Sequence, residues 1–144
     1  MDLFDKKSYK ELVIKNCYNT LDFLLKEGVD FSIAVYTNVM KCNPDIPKEI
    51  IEFDESALFI IANYTKESSV LTKEYFSFEA GFGEENFGST ITLPLEAIMQ
   101  VIVGEEVLHI SYYEPKVEVV KNSMEVLLNN PENQKLLKKK LAKK

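Results

Sequence analysis

FSFEAGFGEENFGSTITLPLEAI, residues 76–98, holds three of the chain's five glycines, Gly81, Gly83 and Gly88, within an aromatic and β-branched run. Glycines this close invite a phosphate-loop reading, which needs a helix N-terminus and a Lys-Ser/Thr pair after them. Here Glu84 and Glu85 occupy the loop, and Thr90 and Ile91 follow. Two carboxylates repel a phosphate, so that reading fails. What remains is a β-hairpin with an unusual first strand. The period-two rule puts Phe76, Phe78, Ala80 and Phe82 on one face and Ser77, Glu79 and Gly81 on the other. Ala80 is a gap in the aromatic row, with Gly81 and Gly83 beside it. Glycine inside a strand marks either a bulge or a close approach of another backbone. The pattern leaves both open: a bulge that bends a small barrel, or a site where an extended peptide docks by strand addition.

Working outward, FSIAVYT (31–37) alternates as a half-buried strand, and ALFIIANY (57–64) is apolar on both faces. EVLHISYY (106–113) closes the β series. NPDIPKEI (43–50) is turn-rich, and its two prolines exclude a central strand. Residues 95–103 read as a short helical turn after Pro94 running into a strand. Before the strands, residues 5–27 read as a helix stopped by Gly28. Tyr9, Leu12, Val13, Cys17, Leu21, Leu24 and Leu25 form its inward stripe, and Ile14, Tyr18 and Phe23 widen the apolar arc to roughly 240°, against roughly 100° for one core-facing side. Such a helix buries two faces, the second either against a partner or within its own monomer. Beyond Pro115, Val117, Val120, Met124, Leu127 and Leu128 fall at helical spacing, and Pro131 opens a second short helix ending in lysines.

The chain has 144 residues, 46% of them hydrophobic and 28% charged, the balance of one folded domain with a core. No stretch reaches membrane-span length and MDLFDKKSYKEL lacks a signal-peptide core, so a cytoplasmic address and no membrane are expected. Cys17 and Cys42 are not in a CxxC spacing, which favours reduced thiols over the alternative Cys17–Cys42 bridge. Residues 1–131 carry 11 lysines against 22 acids, whereas residues 132–144 carry 6 lysines and one acid. There is no arginine. An acidic body without a guanidinium fork is a poor phosphate or base reader, so nucleic acid is not the expected partner. His109, the single histidine, alternates with Leu108 and Ile110 as a strand residue does. No ligand spacing surrounds it, and no GxSxG motif accompanies it, so no metal, no cofactor and no catalytic residue are expected.

FEAGFG (78–83), followed by STITLPLEAI (89–98), resembles the signature of the SspB (stringent starvation protein B) family, an F-x-A-R-F-G-G-like strand followed by V-P-L-x-A-[VI]. ALFIIANY resembles the family's apolar strand ending in Ile-Ala. Tyr9, LDFLL (21–25) and DFSIAVYT (30–37) resemble its N-terminal helix and first strand, and YYEP (112–115) lies where the family domain ends. These pieces are collinear over roughly residues 9–115. The resemblance implies an α+β, mostly β fold: a small, partly open Sm-like β-barrel or sandwich with an N-terminal helix. It divides the chain into an SspB-like domain, 1–115, and a helical, lysine-rich extension, 116–144. It implies a homodimer through the helix, with Ile14, Tyr18, Leu21 and Leu25 at the interface. It further implies a non-enzymatic adaptor that binds ssrA-tagged peptides and delivers them to the ClpXP protease through ClpX. The peptide-binding residues carried over are Phe78, Ala80, Gly81, Phe82 and Gly83, with Ala62 and Asn63 from the adjacent strand. Two positions depart from the family: its arginine is Gly81 here, and its second glycine is Glu84. VEVVK (117–121) resembles the family's protease-tethering motif in letters, as LAKK (141–144) does more loosely, but no long acidic linker precedes either. The alternative is an Sm-like interaction protein that binds another peptide, or RNA through the lysine tail.

Overall fold

Eight strands in two antiparallel sheets, with a long helix against them, make up the fold in a computed structural model that describes residues 2–117. The expected helices beyond Val117, the VEVVK and LAKK segments and the bulk of the 116–144 extension lie outside the described residues. The first helix, α1 (Lys7–Glu27), follows a 3-10 turn at Leu3–Asp5. It stops at Gly28, whose φ of 74° is the left-handed conformation that costs glycine least, and the Gly28 N–H closes the helix on the Leu24 and Leu25 carbonyls. Val13, Cys17, Leu21 and Leu24, spaced 4, 4 and 3 apart, are its buried stripe.

The first sheet runs in the order β3 (Ser56–Ile61), β1 (Phe31–Tyr36), β7 (Ile98–Val103), β8 (Glu106–Ile110). The second runs β2 (Lys41–Asn43), β6 (Phe87–Pro94), β5 (Tyr75–Phe82), β4 (Val70–Leu71). No pairing joins the two sheets among the described residues, so a sandwich-like arrangement describes them and no closed barrel is formed. The connection from β6 to β7 is the expected short turn, a 3-10 segment at Leu95–Ala97. ALFIIANY is shorter as a strand than expected. It leaves the sheet after Ile61, Asn63 takes a φ of 54°, and α2 (Asn63–Glu67) begins. The strand pattern after Ile61 was only the apolar letters Ala62 and Tyr64, which the short helix uses instead.

The inward faces of the two sheets close on each other. Phe31, Ile33 and Val35 come from β1, Phe59 and Ile61 from β3, and Phe76, Phe78 and Phe82 from β5. Phe59 meets Phe78 edge-on at 5.3 Å, and Phe76 lies 5.5 Å from Phe78. Such aromatic pairs contribute about 0.5–1.5 kcal/mol beyond the area they bury. The α1 stripe packs on the Leu95–Ala97 turn and on β7 and β8 of one sheet and β4 of the other. One helix therefore spans both layers.

Candidate functional site: a glycine-floored trough

The hairpin β5–β6 decides the site. Its register is unbroken from Tyr75↔Pro94 to Phe82↔Phe87, so Gly81 marks no bulge and instead faces Gly88 across the ladder. The connection is four residues, with Gly83 and Asn86 at φ values of 74° and 56° and the Asn86 N–H donating to the Gly83 carbonyl at 3.1 Å. The register irregularities lie in the other sheet, at Ala34/Val35 against β7 and at Val101/Ile102 against β8.

With Phe76, Phe78 and Phe82 turned into the core, the opposite face of this sheet points outward. Asn43, Thr90 and Glu79 stand in one cross-strand row there. The next row is Gly88 and Gly81, which have no side chains, so the face is depressed between the Thr90–Glu79 row and the Asn86 side chain. The depression is a trough of about 540 Å³ crossing the sheet from Asn43 and Pro44 at one end to Tyr64 and Thr65 at the other.

Its rims are held by specific contacts. Ser89, buried beneath the floor, donates its hydroxyl to the Pro44 carbonyl at 2.8 Å, tying the loop after β2 to β6. The Tyr64 hydroxyl donates to Glu79 Oε1 at 2.7 Å. That hydrogen bond, with the Glu79 charge behind it, raises the Tyr64 phenol above its ordinary pKa. Lys66 Nζ donates to the Gly28 carbonyl at 2.9 Å and to Asp30 Oδ1 at 2.7 Å, which anchors α2, and with it Tyr64, to the end of α1.

Among the described residues, the trough also meets an open strand edge. β4 pairs with β5 only at Ser77 and Phe76, and the Glu79 N–H turns to Ser68 Oγ at 2.9 Å. By antiparallel alternation Gly81 directs its N–H and C=O to the same side. Among the described residues no strand pairs with β5 there.

The residues expected to bind peptide are not all brought together. Ala80 and Gly81 line the trough. Phe78 and Phe82 do not: they are core residues facing the first sheet, because period two sends the whole aromatic row inward. Gly83 is in the hairpin loop, and its added Cβ would meet Ile50 rather than the trough. Ala62 and Asn63 do not sit on a neighbouring strand either. β3 belongs to the other sheet, and the two residues open α2, whose next residues, Tyr64 and Thr65, reach the site instead. Asn43, Pro44, Asn86 and Thr90 were missed. Gly88 had a signal in the sequence, since a four-residue loop places it opposite Gly81. Asn43 and Pro44 had none, because only the β2–β6 pairing brings them near.

On α1, Leu21 is wholly inside the monomer core and has no surface to offer a second copy. Ile14, Tyr18 and Leu25 are half-buried and also pack on that core, while Leu12 and Phe23 stay 50% and 56% exposed. His109 lies in β8, away from the trough. Burial pushes its imidazole below the ordinary value, and its Nε2 has no hydrogen-bond partner among the described residues. Both cysteines are free. Among the described residues no group of three or more His, Cys, Asp or Glu could hold a metal, and no helix is long and apolar enough to cross a membrane. The trough lining offers hydroxyls, amides, one carboxylate and main-chain groups, which suits hydrogen bonding to a polar chain. No protein-family model matches this sequence, and no curated protein matches it.

Proposed function

We propose that this chain is a peptide-binding adaptor of the SspB type, without bond chemistry of its own. It holds an extended, ssrA-like degradation tag and presents it to ClpXP through ClpX. The observation that carries the reading is the Gly81–Gly88 floor lying beside a stretch of β5 that pairs with no strand other than β6 among the described residues. An extended peptide there gains main-chain hydrogen bonds from the strand edge, and the missing side chain at Gly88 leaves room for one of its own. The two-sheet fold with a leading helix is compatible with the Sm-like architecture that the FEAGFG…STITLPLEAI resemblance implies. A cytoplasmic address and pairing of two copies through α1, using Ile14, Tyr18 and Leu25, complete the proposal.

Calorimetry of the full chain with an ssrA-like peptide tests it. Micromolar or tighter binding is expected, corresponding to about −8 kcal/mol or better. Gly88→Val should abolish it, because a Cβ at Gly88 meets no protein atom within 4 Å and the side chain fills the trough alone. Ala80→Gln should weaken binding too, though Ala80 also packs on the core. Absence of heat together with absence of competition would sink the adaptor reading. RNA binding that weakens steeply with salt and vanishes with the lysine tail would favour the Sm-like interaction protein.

A further inference from the structure

Six of the eight outward positions in two cross-strand rows of the first sheet are apolar. Ile60, Ser32, Ile102 and Val107 form one cross-strand row, and Leu58, Ala34, Gln100 and Ile110 form the next. Leu58 and Ile60 are 61% and 68% exposed, and Val107, Ile110 and Tyr112 are also exposed. The outward face of the second sheet is ordinary by contrast, with Lys41, Thr92 and Ser77 in one row and Asn43, Thr90 and Glu79 in another. An antiparallel sheet with one solvated face alternates apolar-in and polar-out, and a contiguous exposed apolar patch marks a contact surface. A groove of about 460 Å³ runs across this face between Ala34, Tyr36, Gln100, Ile110 and Tyr112.

We propose that residues 117–128 of the same chain dock on this face through Val117, Val120, Met124, Leu127 and Leu128. Two observations select this occupant. The chain leaves the described fold beside the groove: Glu114 lines it, and the Pro115 carbonyl accepts from Asn38 Nδ2 at 3.0 Å just beyond the end of β1. The length fits, since twelve helical residues span about 18 Å and four strands spread over about 14 Å between the outer two. Residues 117–128 carry one lysine and two glutamates among their apolar residues, so apolar contact and not charge is what the segment offers this face. Being tethered, the segment acts on this face at high effective concentration, which a separate copy of the chain does not. This docking is independent of what the glycine trough binds.

A spin label on the full chain tests it. Asn122→Cys places a nitroxide on the side of the helical pattern opposite the apolar stripe. Cys42→Ser removes the competing thiol, and Cys17 is buried. The methyl signals of Leu58, Ile60 and Ile110 should lose intensity relative to the reduced label, while those of Ile91 and Leu93 keep theirs. Adding Met124→Asp and Leu127→Asp should restore the lost signals. The loss should persist on dilution with unlabelled protein. Loss seen only when label and isotope are on different molecules would overturn the proposal in favour of a second copy. Full intensity on all three methyls would overturn it outright.

Discussion

The Asn86 side chain occupies the space that a Cβ at Gly81 would need. The two residues are five apart in sequence, and the left-handed φ of Asn86 turns its amide back over the strand. Gly81→Ala should therefore displace the amide and cost about 1 kcal/mol, at the low end of the range for overpacking. Asn86→Gly keeps the turn conformation and should relieve most of that cost. A double-mutant cycle by urea unfolding measures the coupling; additive effects would contradict the contact.

Phe78 separates core from site. Its ring is buried and packed edge-on against Phe59, so Phe78→Ala should destabilise the chain by about 3–5 kcal/mol in denaturant titrations. Any loss of peptide binding should follow the unfolded fraction. Gly88→Val should leave stability within about 0.5 kcal/mol, as expected of a surface position, so the two variants dissociate folding from binding.

His109 makes stability fall on the acid side. Burial lowers its folded pKa below 6.5, so the unfolded chain takes up the proton first. The neutral imidazole's contribution is complete above pH 6.5 and declines as pH drops from there toward the folded value. Urea midpoints for the natural chain should fall between pH 7.5 and 5, and His109→Leu should flatten that interval. An unchanged slope would mean that the imidazole is not the group responsible.

The two thiols should react in order. Burial, with Glu96 nearby, pushes Cys17 up to about 12, and burial with Asp45 raises half-buried Cys42 less far. Since the thiolate is the reactive form, a chromogenic disulfide reagent at pH 8 should titrate Cys42 alone in the native protein and both cysteines in urea. Two fast thiols in the folded chain would show that α1 is not seated on the core.

Much of the local architecture was legible. Val13, Cys17, Leu21 and Leu24 announce the inward side of α1, Gly28 its end, and the aromatic row from Phe76 to Phe82 the buried face of β5. The site was legible only in part. Ala80 and Gly81 line the trough, whereas Phe78 and Phe82, carried over by the resemblance as peptide-binding residues, face the core. Ala62 and Asn63 were assigned to a strand beside β5, because nothing within ALFIIANY states which sheet it joins.

The sequence by itself determined the periodicities, the helix stop and the hairpin, because each depends on side chains and backbone preferences within a few residues. Only the tertiary structure decided that β3 pairs with β1 rather than β5, that Leu21 is spent on the core, and that Asn43, Pro44 and Tyr64 frame the Gly81–Gly88 gap. Those choices are settled by closing one core from distant segments. An apolar letter says that a side chain avoids water, and not which neighbour it avoids water with.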